Sequence, residues 1–262
     1  MHTQAVLGRV VADLQAQSPD HIAVTGDLVN IGLPAEYLAA ARWLRSLGAP
    51  DHVSVIPGNH DVYVHMAADA GIGHWQAYMT GTVAGEPQGF PFVRRLRHVA
   101  LIGLNSAVPT PPFHASGRLG RAQLARFGQV LHELGRERLV RVVLVHHPAL
   151  PGLAPPRCAL QDAEGMAAVL AQHGAELVLH GHNHRLMINH TPGPGRPIPV
   201  VGAASASAAE HAGHRSLARY HVYNICSDPG APIEMVERGL SDAAGTAREI
   251  SRRSLSPEHV PG

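Results

Sequence analysis

The sequence predicts an α/β fold with parallel strands, and two observations carry that expectation. A strand, an amphipathic helix and a second strand follow one another through short loops between residues 21 and 56. That order favours parallel pairing through right-handed crossovers. In addition, four short apolar stretches each end in a polar cluster. Ile22-Ala23-Val24-Thr25 runs into Gly26-Asp27-Leu28-Val29-Asn30, and Val53-Ser54-Val55-Ile56 into Pro57-Gly58-Asn59-His60-Asp61. Val142-Val143-Leu144-Val145 runs into His146-His147-Pro148, and Leu177-Val178-Leu179 into His180-Gly181-His182-Asn183-His184. Ligands of open α/β sheets collect beyond the carboxyl ends of the strands. Carboxylate, amide and imidazole are the donors that borderline divalent ions prefer, so the pattern points to a metal site.

Taken in order, Val6, Leu7, Val10, Val11 and Leu14 recur at helical spacing within residues 2–17, and Ser18-Pro19 stops them. Residues 21–25 form the first strand. Pro34 opens a second helix, 34–47, that Gly48 closes, and residues 53–56 form the next strand. Residues 62–91 read as irregular, with one helical segment around 73–79. Phe92 to Leu96 and Val99 to Leu104 read as two strands about a tight basic turn. Residues 105–120 are an extended proline-containing loop, and Leu124, Phe127, Val130 and Leu131 place a helix over 120–134. A strand over 139–145 delivers His146. Asp162 is expected to cap a helix running to Gln172, with Gly174 beyond it. The strand 176–180 precedes the paired histidines. Residues 186–190, 198–201, 217–225 and 232–237 read as antiparallel strands, with a turn at Pro192-Gly193-Pro194-Gly195. The expected organisation is one domain over residues 1–238 and a loosely ordered tail over 239–262.

A chain of 262 residues, 45% hydrophobic and 16% charged, can bury one large core. No apolar run approaches the roughly 18 residues that span a bilayer, and no basic region followed by an apolar core opens the chain. No membrane is therefore expected. Cys158 and Cys226 are the only cysteines and lie far apart, which fits a reducing compartment, and cytoplasm is the expected address. Lys and Arg total 21 against 20 acids, scattered except at Arg94-Arg95-Leu96-Arg97 and Arg252-Arg253, so no nucleic-acid partner is expected. The 20 histidines exceed what the motifs use, and most are expected to be structural or exposed.

The ordered set Gly26-Asp27, Gly58-Asn59-His60-Asp61, His146-His147-Pro148 and Gly181-His182-Asn183-His184 resembles the signature of the calcineurin-like metallophosphoesterases. The wording Gly-Asp-Leu-Val-Asn followed by Pro34 and Glu36-Tyr37 is similar to the cyclic-nucleotide and glycerophosphodiester phosphodiesterase branch. The resemblance spans about residues 2–205 and implies two mixed β-sheets packed face to face with helices outside.

It also implies chemistry. Two divalent ions, for which Mn, Fe, Zn and Co all suit mixed N and O ligation, would hold a small phosphoester while a metal-bound hydroxide attacks. Asp27 would bridge the ions, Asn59, His146 and His182 would bind one, and His184 the other. Asn59 and His60 would contact the phosphate, with His60 stabilising the leaving oxygen and Asn30 orienting its ring. Asp61 and His147 would support the ligands, and Asn183 would face away. Alternate residues of an extended His-x-His can address adjacent ions. The loops carrying His65 and His114, with Tyr63 beside them, border the expected site.

The sequence departs from the family in one respect. Members begin with a strand ending in Asp-x-His, ligands of the second ion, and Met1 is all that precedes the first helix here. The expectation is that an upstream segment carries this strand. The alternative is a short form, weakly active with one ion or serving as a non-catalytic metal- or partner-binding module.

Overall fold

Thr3 begins the first helix by accepting the Val6 N–H on its hydroxyl at 3.3 Å. Helix α1, Gln4–Ala16, then buries Val6 and Val10 against Leu217, Ala218 and Leu240. The computed structural model describes residues 3–63, 70–81, 89–209, 216–242 and 245–255. Strand β1, Ile22–Val24, pairs in parallel with β2, Val53–Val55. Helix α2, Pro34–Leu47, connects them, with Pro34 in its first turn and Gly48 closing it. Short 3-10 turns occupy His60–Val62 and Ile72–Met79.

A hairpin of β3, Phe92–Leu96, and β4, Val99–Gly103, leads to α3, Arg121–Arg136, and β5, Val140–Val145. Helix α4, Ala163–His173, and β6, Leu177–His180, follow. Then come β7, Met187–Thr191, β8, Ile198–Gly202, β9, Arg219–Asn224, β10, Ile233–Gly239, and β11, Arg248–Leu255. Strands β3-β4-β5-β6-β8-β7 form one six-stranded mixed sheet, in which β4, β5, β6 and β8 run parallel.

Both faces of this sheet are covered, which explains the unbroken apolar runs of its central strands. Leu101, Val142, Leu144, Leu177, Leu179 and Val201 face a core shared with Val53, Val55 and Ile56 of the β2 stretch, Tyr37 and Leu44 of α2, and Met235 of β10. The alternate residues Ala100, Ile102, Val143, Val145, Val178 and Val200 meet Phe127 and Leu131 of α3 and Met166 and Leu170 of α4. Fully burying such an aliphatic or aromatic side chain contributes about 1.5–3 kcal/mol. The protein is thus an α/β fold with sheets packed face to face. Its second layer comes as two patches, the parallel β1-β2 pair and the antiparallel β11-β10-β9 sheet. Among the described residues β1 pairs only with β2.

Two local expectations change. Residues 239–262, expected to be a loose tail, contain β11, which pairs with β10 from Ile233↔Leu255 to Gly239↔Arg248. Only Leu255 of this strand is buried, so no apolar alternation marks it. Main-chain pairing and the ion pairs of Arg252 with Glu234 and Glu249 hold it instead. Asp162 does stand before α4, but its carboxylate accepts the N–H groups of Leu119, at 3.0 and 3.2 Å, and Gly120, at 2.7 Å. It secures the entry to α3 rather than capping α4.

Candidate metal centre

Four loops converge where β1, β2, β5 and β6 end. The first contact is main-chain and side-chain together: His146, following β5, donates its Nδ1–H to the Thr25 carbonyl beyond β1 at 2.6 Å. That leaves His146 Nε2 facing Asp27 Oδ2 at 3.2 Å and Asn59 Oδ1 at 3.1 Å. Nδ1 of His182, beyond β6, lies 3.0 Å from the same Asn59 oxygen and 3.3 Å from His146 Nε2. A hydrogen bond to the backbone of Cys158 engages the His182 ring as well.

These distances test whether an ion fits. Donor atoms 3.0–3.3 Å apart are the edges of a polyhedron whose centre stands about 2 Å from each corner, the usual span of a bond from a transition metal to N or O. Asp27, His146 and His182 form, among the described residues, a group of three whose ligand atoms lie within 4.8 Å of one another. Asn59 adds a fourth donor. His184 stands outside this group.

The electrostatics agree. Burial would raise the Asp27 carboxyl, but His146 and His60 outweigh it and hold the group below the ordinary carboxylate range. Burial opposes a charged His146, yet Asp27 and the Thr25 carbonyl raise its pKa. A field that favours positive charge at that nitrogen favours a bound cation equally. Burial and the adjacent His146 push His182 down to about 3, so its ring is a neutral donor.

Asp61 binds the loops together. Its carboxylate accepts the N–H of Asp27 at 2.9 Å, Leu28 at 2.8 Å, Val29 at 3.1 Å and Gly58 at 2.8 Å. Burial, opposed by those N–H donors, pushes its carboxyl up to about 6. Gly26 and Gly58 are needed because backbone meets backbone here. A Cβ on Gly58 would stand 2.1 Å from Asp27 Oδ1, and one on Gly26, at φ +94°, would stand 2.7 Å from His146 Nδ1. His147 is buried with Nδ1 2.7 Å from the Ser106 hydroxyl, and its Nε2–H donates to the Ala115 carbonyl at 3.1 Å. Its ring packs 4.6 Å from that of His182.

His60 lies at the open side. Its backbone N–H donates to Asp27 Oδ1 at 3.0 Å, and its Nδ1–H donates to the Asn30 carbonyl at 2.6 Å. The expected role of Asn30 is therefore filled by its main chain; its side chain is not the contact. The 30–33 loop is in turn held by Glu36, whose carboxylate accepts the N–H of Asn30 at 3.3 Å, Ile31 at 3.2 Å and Leu33 at 2.9 Å. Tyr37, the next residue, donates its hydroxyl to the Asp61 carbonyl at 3.0 Å.

The His-x-His segment is also not what an extended strand would give. Strand β6 ends at His180, and His182 and His184 follow with φ +65° and +53°. Asp27, at φ +59°, shares this left-handed conformation, which is costly for residues with a Cβ and concentrates at functional sites. Asn183 faces away and donates to the Leu153 carbonyl at 3.0 Å. His114 is exposed and bonds within its own loop, to the Pro112 carbonyl at 3.2 Å, while His65 lies outside the described residues. Thr25, Ser106 and Cys158 enter the site without any signal in the motifs, because Thr25 and Cys158 act through main-chain atoms. Tyr63 carries one available signal, a polar aromatic four residues after Asn59 across a helical turn.

A carboxylate, an amide and two imidazoles, a donor set suited to a divalent ion, gather beyond the carboxyl ends of strands in the facing sheets of an α/β sandwich. The chain belongs to the calcineurin-like phosphoesterase family, whose pattern matches residues 2–186. It is 30% identical over 217 residues to a probable cyclic nucleotide phosphodiesterase of Synechococcus sp., covering 79% of this chain and 75% of that protein. It is 27% identical over 175 residues to the glycerophosphodiester phosphodiesterase GpdQ of Enterobacter lignolyticus, covering 65% of this chain and 58% of that one. Among solved structures, a dimetal phosphatase from Danio rerio superposes with TM-score 0.65 at 11% identity, over 97% of this chain and 89% of that chain. GAP50, described as the anchor in the inner membrane complex of Plasmodium, superposes with TM-score 0.52 at 11% identity, over 99% and 86%. At such identity the likeness concerns the fold alone. Among the described residues no helix is long and apolar enough to cross a membrane.

Proposed function

We propose that this chain is a metal-dependent phosphodiesterase acting on a small phosphoester such as a cyclic nucleotide or a glycerophosphodiester. The observation that carries the reading is the set of four donor atoms, on Asp27, Asn59, His146 and His182, with contacts of 3.0–3.3 Å between them. In this reading those residues hold one divalent ion, and Asp27 with His184 contributes to a second. Ions held there supply Lewis acidity toward a phosphoryl oxygen and acidify a water molecule. The names of the two sequence relatives support the substrate class.

The chain's own groups complete the assignment. Asp27 offers Oδ2 to the donor cluster while its Oδ1 accepts the His60 N–H, so one carboxylate ties the ion site to the general acid. His60 is oriented by the Asn30 carbonyl, which accepts its Nδ1–H; with Nε2 protonated as well, the ring would donate from that nitrogen to stabilise or protonate the leaving oxygen. Asp61 and His147 keep loops and rings in register. Cys158 and Cys226 are free thiols, which accords with a reducing compartment such as cytoplasm.

A second reading is favoured by one observation, the convergence of a single donor group among the described residues. In it the chain binds one ion, or a partner, without turnover. Hydrolysis of bis(p-nitrophenyl) phosphate in Mn²⁺ by the purified chain and by Asn59→Ala, with metal content measured in parallel, separates the two. Turnover lost in Asn59→Ala upholds the enzyme, whereas a bound ion with no turnover of this ester, of cyclic nucleotides or of glycerophosphodiesters upholds the binding module.

A further inference from the structure

We propose that Tyr63 is a positioning residue of this centre, its hydroxyl fixing the Asn59 amide with Oδ1 turned toward the other donors and restraining the outward nitrogen of His60. The proposal rests on the reading of Asn59 as an ion ligand and of His60 as the group that serves the leaving oxygen.

The two ends of an asparagine amide are nearly the same size, so packing alone does not choose between its two flips. Only one flip turns a lone pair to an ion. Asn59 Nδ2 donates to the Tyr63 hydroxyl oxygen at 2.8 Å, and this contact holds the amide with Oδ1 facing His146 Nε2 and His182 Nδ1. The phenol must accept here, so its own proton points elsewhere. His60 Nε2 lies 3.5 Å from the same hydroxyl oxygen. The phenol ring lies 4.6 Å from the imidazole, tilted by 58°, and limits how far that ring can swing. Tyr63 follows Asn59 by four positions, across the three-residue turn His60–Val62, and the two side chains meet over it. A single hydroxyl thus meets the amide that would bind the ion and the imidazole that would serve the leaving group.

Tyr63→Phe keeps the ring and removes the hydroxyl. In calorimetric titration with Mn²⁺, it is expected to bind the ion about tenfold more weakly than wild type, the usual cost of losing an outer partner of a ligand. Asn59→Ala is expected to bind at least as weakly. Tyr63→His, which can again accept from the amide, recovers most of the affinity, a rescue that a merely structural role for the ring does not explain. The kcat of Tyr63→Phe should fall further for alkyl than for p-nitrophenolate leaving groups. Wild-type Mn²⁺ affinity in Tyr63→Phe beside weakened Asn59→Ala overturns the role of Tyr63 and leaves the centre standing. Equal titrations for all the variants, or no uptake by wild type, overturn both.

Discussion

Single atoms decide whether this centre exists. The Gly58 backbone lies against Asp27, and a Cβ added there would meet Oδ1 at 2.1 Å and the backbone nitrogen at 2.4 Å. Gly58→Ala must therefore push the carboxylate out of the donor cluster or part the two loops. The expected result is a destabilisation of about 1–3 kcal/mol, typical of overpacking, together with loss of Mn²⁺ binding, read from thermal melts and titration. A variant that melts and titrates like wild type would show that the loops separate without cost. The motifs made Asp27, Asn59, His146 and His182 legible, since each is a donor side chain after an apolar run. They could not reveal which groups aim those side chains. His146 is aimed by a carbonyl of Thr25, His60 by one of Asn30 and His182 by the backbone of Cys158, and a main-chain atom is the same whatever residue carries it.

At the scale of elements, α2 does more than join two strands. Its Glu36 carboxylate gathers three N–H groups of the 30–33 loop, and that loop presents the carbonyl on which His60 rests. Glu36→Ala is expected to cost about 0.5–2 kcal/mol, as for loss of a helix cap, and to lower phosphodiester turnover severalfold by loosening His60. Asn30→Ala should stay within about twofold of wild type, because the carbonyl remains. If Asn30→Ala proves the more damaging of the two in the same assay, the side chain rather than the loop orients the ring.

Helices α1 to α4 and the central strands were readable because their burial is periodic: Val6 and Val10 on one face, Val142 and Leu144 alternating with Val143 and Val145. Strand β11 was not, since seven of its eight positions lie outside the core and its partners are main-chain atoms and acids of β10. Asp162 misled for a related reason. Its position announces a cap, but the backbone it serves is 42 and 43 residues away in sequence.

The whole molecule carries its excess of histidine inside as well as outside. His21 and His221, away from the donor cluster, are pushed by burial from an ordinary 6.5 down to about 4. His21 Nε2 contacts the Ser54 hydroxyl at 2.8 Å and His221 Nδ1 the Tyr223 hydroxyl at 3.0 Å. Above pH 6.5 both rings are neutral in folded and unfolded chain alike, and they add no pH dependence. Between 6.5 and about 4 the unfolded chain takes up protons that the folded chain refuses, so stability falls as pH falls through this window. The melting temperature should therefore decline across it, and His221→Gln should flatten part of the decline; a slope unchanged by that substitution would assign the effect to other groups.

Asp61 has a consequence in time as well as in space. Because one carboxylate holds the amides of Asp27, Leu28, Val29 and Gly58, none of the four can be released without disturbing the rest. Loop amides ordinarily trade their protons with solvent independently and fast. These four should instead exchange slowly and at a common rate set by a single opening event, in deuterium exchange followed by NMR. Asp61→Asn, with one acceptor oxygen in place of two, should break that synchrony and leave four separate clocks.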